Sequence, residues 1–210
     1  MNSGGLLPLI GASGYHPGMG TSRLEAFSDG VLAIVITIMV LELKAPHGTD
    51  LAAIEPLLGA FFSYVLSFIY VGIYWNNHHH LFHSTKQVSA GILWANLHLL
   101  FWLSLLPFAT AWMGENRVTP IPTAVYGVVL LMAALAFYVL QLAIIANQGQ
   151  GSVLAAALGR DWKGKLSPLL YLSGIGLAFV QPWMATMLYA GVALLWFVPD
   201  QRIERVVVGG

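Results

Sequence analysis

The stretch that decides the fold is RLEAFSDGVLAIVITIMVLEL, Arg23 to Leu43. From Gly30 onward it is a run of Val, Leu, Ile, Ala and Met, with Thr37 as its one mid-span polar group. About 20 such residues suffice for a helix to cross a bilayer. Yet the segment opens with Arg23, Glu25, Ser28 and Asp29 and carries Glu42 at its far end. An ionisable side chain costs about 2.5–3.5 kcal/mol at the centre of a spanning helix and is by default paired or functional. Asp29 lies near the interface, where the penalty is smaller. Arg23 and Asp29 are six residues apart and cannot face each other on one helix. Their partners must come from other helices, which points to an interhelical polar network at the foot of the first span.

The rest of the chain agrees with a membrane reading. Of its 210 residues, 58% are hydrophobic and 9% charged, against roughly 25% charged in a soluble domain. Nine basic residues balance nine acidic ones, so nothing suggests nucleic acid as a partner. With no cysteine there are no disulfides, thiol nucleophiles or thiolate metal sites. Apolar runs delimit six spans: Ser22–Lys44, Ala53–Asn77, Val88–Met113, Pro122–Ala146, Leu166–Val180 and Trp183–Val198. The expected fold is therefore an all-α, six-helix transmembrane domain over residues 21–201. Residues 1–20, interrupted by Gly and Pro and lacking Lys or Arg, read as a flexible tail rather than a signal peptide. Residues 202–210 read as a short second tail.

Basic residues orient the spans, because Lys and Arg concentrate in cytoplasmic loops. With the amino terminus inside, the inner segments hold Arg23, Lys86, Arg160, Lys163, Lys165, Arg202 and Arg205, and the outer loops hold Lys44 and Arg117. Both termini are expected in the cytoplasm, and Arg23–Asp29 at the inner face.

On a helical wheel Ile34, Ile38 and Leu41 form one apolar stripe, with Thr37 on its flank. Such stripes ordinarily mean helix packing, and a mid-helix threonine ordinarily bonds the carbonyl four residues back. The polar foot of the helix weighs against that reading alone. Candidate partners for it stand at the inner end of the second span, YWNNHHHLFH (Tyr74–His83), with Asn96 and His98 deeper in the third. Consecutive helical residues point about 100° apart, so His78, His79 and His80 cannot converge on one metal ion. Interfacial histidines beside Trp75 and Phe82 are the plainer reading; paired with Asp29, one or two could also form a pH-sensitive latch. Pro107 is expected to kink the third helix, and Ser173, Gly174 and Gly176 to allow close helix packing.

These segments carry a family resemblance. RLEAFSDG fits the RxxxFSDG signature that opens the first helix of the transmembrane protein 175 family, a group of lysosomal and bacterial potassium channels. YWNNHHHLF resembles the family's YWxxHH segment, and LWANLHLLFWLSLLPFAT its third helix. The resemblance covers Arg23 to Thr110. It implies a homotetramer of six-helix subunits in a bacterial plasma membrane, with the first helix of each lining a central pore and no TVGYG filter. It places the apolar constriction at Ile34, further layers at Ile38 and Leu41, and a potassium-favouring hydroxyl at Thr37. Arg23, Phe27, Ser28 and Asp29, with Trp75, His78, His79 and Asn96, resemble the network that holds the pore helix. Glu42 falls at the outer mouth. Potassium is the implied permeant ion, with no cofactor and no resident metal. His80 departs from the basic residue expected after the paired histidines.

Two other function classes compete. A proton-coupled secondary transporter could relay protons through Asp29 and His78–His80, but such proteins usually carry broken helices and midplane polar sites. A membrane enzyme would need a catalytic constellation, and the sequence has neither GxSxG nor HExxH.

Overall fold

The computed structural model describes residues 20–85, 87–149, 154–155 and 162–197. The segments expected as tails lie outside these residues, apart from Gly20. The described residues are helical: α1 (Thr21–Leu41), α2 (Leu58–His83), α3 (Ala90–Ser104), α4 (Leu106–Glu115), α5 (Pro120–Gln148), α6 (Trp162–Ala178) and α7 (Pro182–Phe197). Four segments are long and apolar enough to cross a membrane: α1, the stretch Leu51–His83, α3 with α4, and α5. The shorter α7 is also apolar.

Local chemistry explains the boundaries. The second span begins not at Ala53 but with two 3-10 turns, Leu51–Ala53 and Glu55–Leu57; Asp50 caps the first and Pro56 sits in the second. Regular α-helix starts only at Leu58, since proline has no N–H to donate and belongs in a helix's first turn. The same helix overruns its expected end. α2 continues past Asn77 to His83 because hydropathy marks where the apolar run stops, and no Gly or Pro stops the backbone there. The third span is broken: α3 ends at Ser104, and α4 restarts at Leu106 with Pro107 in its first turn. Ser89 caps α3 by accepting from the Ile92 amide.

α1 packs on α2, α3 and α4, while α5 crosses behind them onto α6 and α7, which form an antiparallel hairpin. A buried tyrosine cluster joins the two halves. Tyr189 of α7 is fully buried, and a Cβ on Gly174 would sit 2.3 Å from its ring, and one on Gly127 2.1 Å from its hydroxyl. Those two glycines are sockets for one side chain. Gly176, expected to share the packing role, has open space in front of it. Between α2, α4 and α5, Ser67 Oγ lies 2.6 Å from Thr110 Oγ1 and 2.9 Å from the Tyr126 hydroxyl. Buried hydroxyls thus satisfy one another where lipid could not.

Candidate functional site

The two faces of α1 have opposite fates. Leu24, Ser28, Leu32, Val35 and Met39 recur every three or four residues and are buried against the neighbouring helices. The opposite face is left largely open by the described residues. Ile34 is 60% exposed, Ile38 43% and Leu41 74%, and Thr37 is exposed beside them. Thr37 Oγ1 donates to the Ala33 carbonyl at 2.8 Å. That bond commits the hydroxyl proton to the helix and leaves the oxygen's lone pairs to the open side.

The foot of the helix is held by three polar contacts, and the innermost has a fixed direction. Ser28 Oγ donates to the Leu24 carbonyl at 2.9 Å. It is therefore free to accept from Asn96 Nδ2, also at 2.9 Å. The other end of that amide, Oδ1, lies 2.8 Å from His78 Nε2 and can only accept, so Nε2 carries the proton. All three side chains are buried. His78 Nδ1 is buried with no hydrogen-bond partner among the described residues. A run of one-way donors thus ties α1 to α3 and α2.

The second and third contacts form a matched pair. On α1, Glu25 and Asp29 are i and i+4; on α2, Trp75 and His79 are i and i+4, so each pair shares a helix face. Trp75 Nε1 donates to Asp29 Oδ1 at 3.0 Å, and His79 Nδ1 lies 2.6 Å from Glu25 Oε1. The Trp75 ring also stacks on His79, with centroids 6.4 Å apart.

The structure brings together Ser28, Asp29, Trp75, His78, His79 and Asn96. It adds Glu25, which the signature motif leaves unspecified; its i, i+4 relation to Asp29 was the signal available in the sequence. Arg23 and Phe27 do not join these contacts. Both are exposed, and they fall in phase with Ile34, Ile38 and Leu41, at the foot of the uncovered stripe. The Arg23 guanidinium has no hydrogen-bond partner among the described residues. His78 and His79 point to different partners, and no group of three or more His, Asp or Glu among the described residues is placed to hold a metal ion.

The other end of α1 differs. Lys44, just beyond α1, pairs with Glu115 at the end of α4 at 2.7 Å, and both side chains are largely open to solvent. The hydrogen bond from Glu115, and then its charge, hold the Lys44 ammonium above its ordinary pKa. Glu42 is exposed nearby in the sequence.

The family described as endosomal/lysosomal potassium channel TMEM175 matches residues 23–107, the region that contains the stripe and its anchor. A potassium channel of Chryseobacterium sp. (strain P1-3) is 53% identical over 187 residues, covering 89% of this chain and 97% of that protein. The endosomal/lysosomal proton channel TMEM175 of Danio rerio is 34% identical over 102 residues, which is 41% of this chain and 20% of that protein. Among solved structures, the lysosomal potassium-selective channel TMEM175 homolog from Chamaesiphon minutus superposes with a TM-score of 0.75. It is 26% identical, and the match covers 85% of this chain and 96% of that one. The chain belongs to the TMEM175 family of membrane ion channels and is not an enzyme.

Proposed function

We propose that this chain is one subunit of a homotetrameric, potassium-permeable channel in a bacterial plasma membrane, with α1 of each copy lining the pore. The observation that carries this reading is the uncovered stripe Ile34, Thr37, Ile38 and Leu41 on a helix whose opposite face is locked down. One helix cannot enclose a path, so copies must surround an axis. Six spans with both termini inside fit the bias of basic residues, and the potassium channel of Chryseobacterium sets the expectation for the ion.

The mechanism follows from the side chains. A ring of Ile34 is narrow and dry when closed and conducts when it widens and wets. Branched apolar side chains cannot replace a hydration shell. The ion that sheds water more cheaply, potassium, therefore passes more easily than sodium. Thr37 oxygens, with their protons already committed to Ala33, can replace part of the lost hydration. Ile38 and Leu41 extend the apolar passage, and Glu42 raises the local cation concentration at its mouth over about a Debye length. The buried contacts of Ser28, Asn96 and His78 keep the stripe from rotating toward lipid.

The test is the reversal potential of purified protein in planar bilayers, with potassium on one side and sodium on the other. A shift toward the potassium equilibrium value supports the reading. Substrate-coupled proton movement without passive current would replace it with a transporter. Thr37→Ala should reduce the potassium preference; an unchanged reversal potential would remove Thr37 from the selectivity assignment.

A further inference from the structure

An exposed hydroxyl within a span can satisfy itself on its own helix. Thr37, Ser104 and Ser173 are exposed, and each donates to a backbone carbonyl three or four residues back. His98 of α3 is exposed as well, and its ring has no such outlet. Trp102 Nε1 donates to His98 Nε2 at 3.0 Å. An indole N–H can only donate, so Nε2 is unprotonated and the proton of the neutral ring sits on Nδ1. That N–H has no hydrogen-bond partner among the described residues. The ring is also held in place: His98 and Trp102 stand edge to face with centroids 6.4 Å apart, and Phe101 packs on Trp102 at 5.2 Å.

The place of that donor makes it costly. His98 stands about 12 Å along the span that begins at Ala90, at about 1.5 Å per residue, and hydrocarbon offers no acceptor. Polar side chains within spans turn to the bundle interior, to water or to another helix. His98 turns away from the interior of its own chain. α3 packs on the buried side of α1, through Asn96 and Ser28, and on α5 behind it. Its free face therefore looks sideways, neither toward the stripe of α1 nor toward the back of the bundle. Around His98 on that face lie Trp94, Leu97 and Phe101, at three- and four-residue spacing and 73%, 41% and 54% exposed. Aromatic residues around one fixed donor are what a protein presents to another protein, since interface cores are rich in aromatics and histidine bonds across helices in membranes.

We infer that this face of α3 docks a second copy of the chain, with His98 Nδ1–H donating to a carbonyl or hydroxyl oxygen of that copy. The inference rests on the tetramer reading above and adds which flank meets a neighbour and which polar bond sets the register. Copies arranged around an axis meet head to tail, so the α3 face of one packs on a different face of the next. The bond then recurs once at every interface. Trp102 is its positioning residue, because its N–H fixes the tautomer that leaves Nδ1–H to point outward.

The chain has no cysteine, so a nitroxide label can be placed by one substitution. In phosphatidylcholine vesicles, a label at Leu97→Cys reports its surroundings through collisions with oxygen, which concentrates in lipid, and with a nickel chelate, which stays in water. It should meet oxygen severalfold less often than a label at Leu172→Cys, a position 59% exposed on α6, and should rarely meet the chelate. Oxygen collisions equal to those at Leu172 would mean that lipid covers the face, and frequent chelate collisions that water does; either overturns the inference. His98→Leu should weaken association about threefold per interface, the size of an average hydrogen bond between membrane helices. Native mass spectrometry on dilution in detergent reads this. His98→Gln, which keeps a donor and an acceptor, should restore most of the loss. Trp102→Phe breaks the internal bond and keeps the outward donor, so it should cost less than His98→Leu. Equal losses in those two variants, or none in His98→Leu, would remove the bond between copies. A wild type that runs as a single subunit would overturn the tetramer reading and this contact with it. A tetramer whose Leu97 label meets lipid overturns the contact alone.

Discussion

The two ends of α1 are fastened by different chemistry. At its foot, three contacts to α2 and α3 converge within two turns, and the chain from His78 through Asn96 to Ser28 is wholly buried. Just beyond its other end, among the described residues, the Lys44–Glu115 pair stands open to solvent. Buried hydrogen bonds have no water to fall back on, so losing one partner leaves the other stranded. Exposed ion pairs exchange one solvated state for another and are worth little. The polar fastening of the helix is therefore buried at one end and open at the other, where Met39 still packs against Thr110 of α4.

Breaking the pinned end should have the largest effect. Asn96→Leu leaves the Ser28 hydroxyl and the His78 Nε2–H without their shared partner. Each orphaned group costs about 1–3 kcal/mol, toward the lower end in a membrane because unfolded helices find other partners. A loss of about 2 kcal/mol or more is expected, read as a lower midpoint when heated samples are run through size exclusion. A variant with the wild-type midpoint would mean that the buried chain holds nothing.

Changing the stripe itself should alter conduction while sparing the fold, because Ile34 and Leu41 are largely exposed and lie outside the buried face of α1. Ile34→Asn should raise conductance severalfold and blunt discrimination between potassium and sodium, since a polar ring wets at smaller diameter. Single-channel recording decides this. An unaltered conductance would move the constriction away from Ile34.

The same contrast explains what was legible in the sequence. The apolar stripe and the need for partners at the foot could be read directly, since helical phase and the cost of charge in lipid are local rules. The RxxxFSDG signature located the foot but grouped its members by proximity in sequence. Phase sorts them differently: Ser28 and Asp29 face the neighbouring helices, while Arg23 and Phe27 head the uncovered stripe. Glu25 is legible as one of the charged residues at the foot but its partner is not, because its role depends on His79, a residue 54 positions away whose face could not be fixed while α2 was expected to stop at Asn77. Hydropathy describes the solvent around a helix and says little about where the backbone ends. Tyr189 seated on Gly127 and Gly174 was likewise beyond reach, since it needs three helices placed in space.

The half-exposed contact at the foot should give an intermediate result. Trp75→Phe keeps the aromatic stacking on His79 and removes only the donor to Asp29. A loss of about 0.5–1 kcal/mol is expected, the range of an ordinary intramolecular hydrogen bond. Thermal shift checks it, and a cost equal to that of Asn96→Leu would erase the distinction between buried and open tethers.

The Lys44–Glu115 pair should show the smallest effect, and one that depends on conditions. Lys44→Ala removes an ammonium that is fully open to water, so the unfolding midpoint should stay within error of wild type at physiological salt. Whatever the pair contributes should fade as salt rises, because the Debye length falls from about 10 Å at 0.1 M to about 3 Å at 1 M. Its pH dependence has a definite sign. Glu115 raises the Lys44 pKa above 10.5, so the contribution is fully present below that value and is lost as pH rises through the raised one. Between pH 6 and 9 the wild type and Lys44→Ala should therefore run in parallel, with no pH-dependent gap. A large difference in midpoint, or one that survives 1 M salt, would mean that the polar contact at this end fastens α1 as firmly as those at the foot.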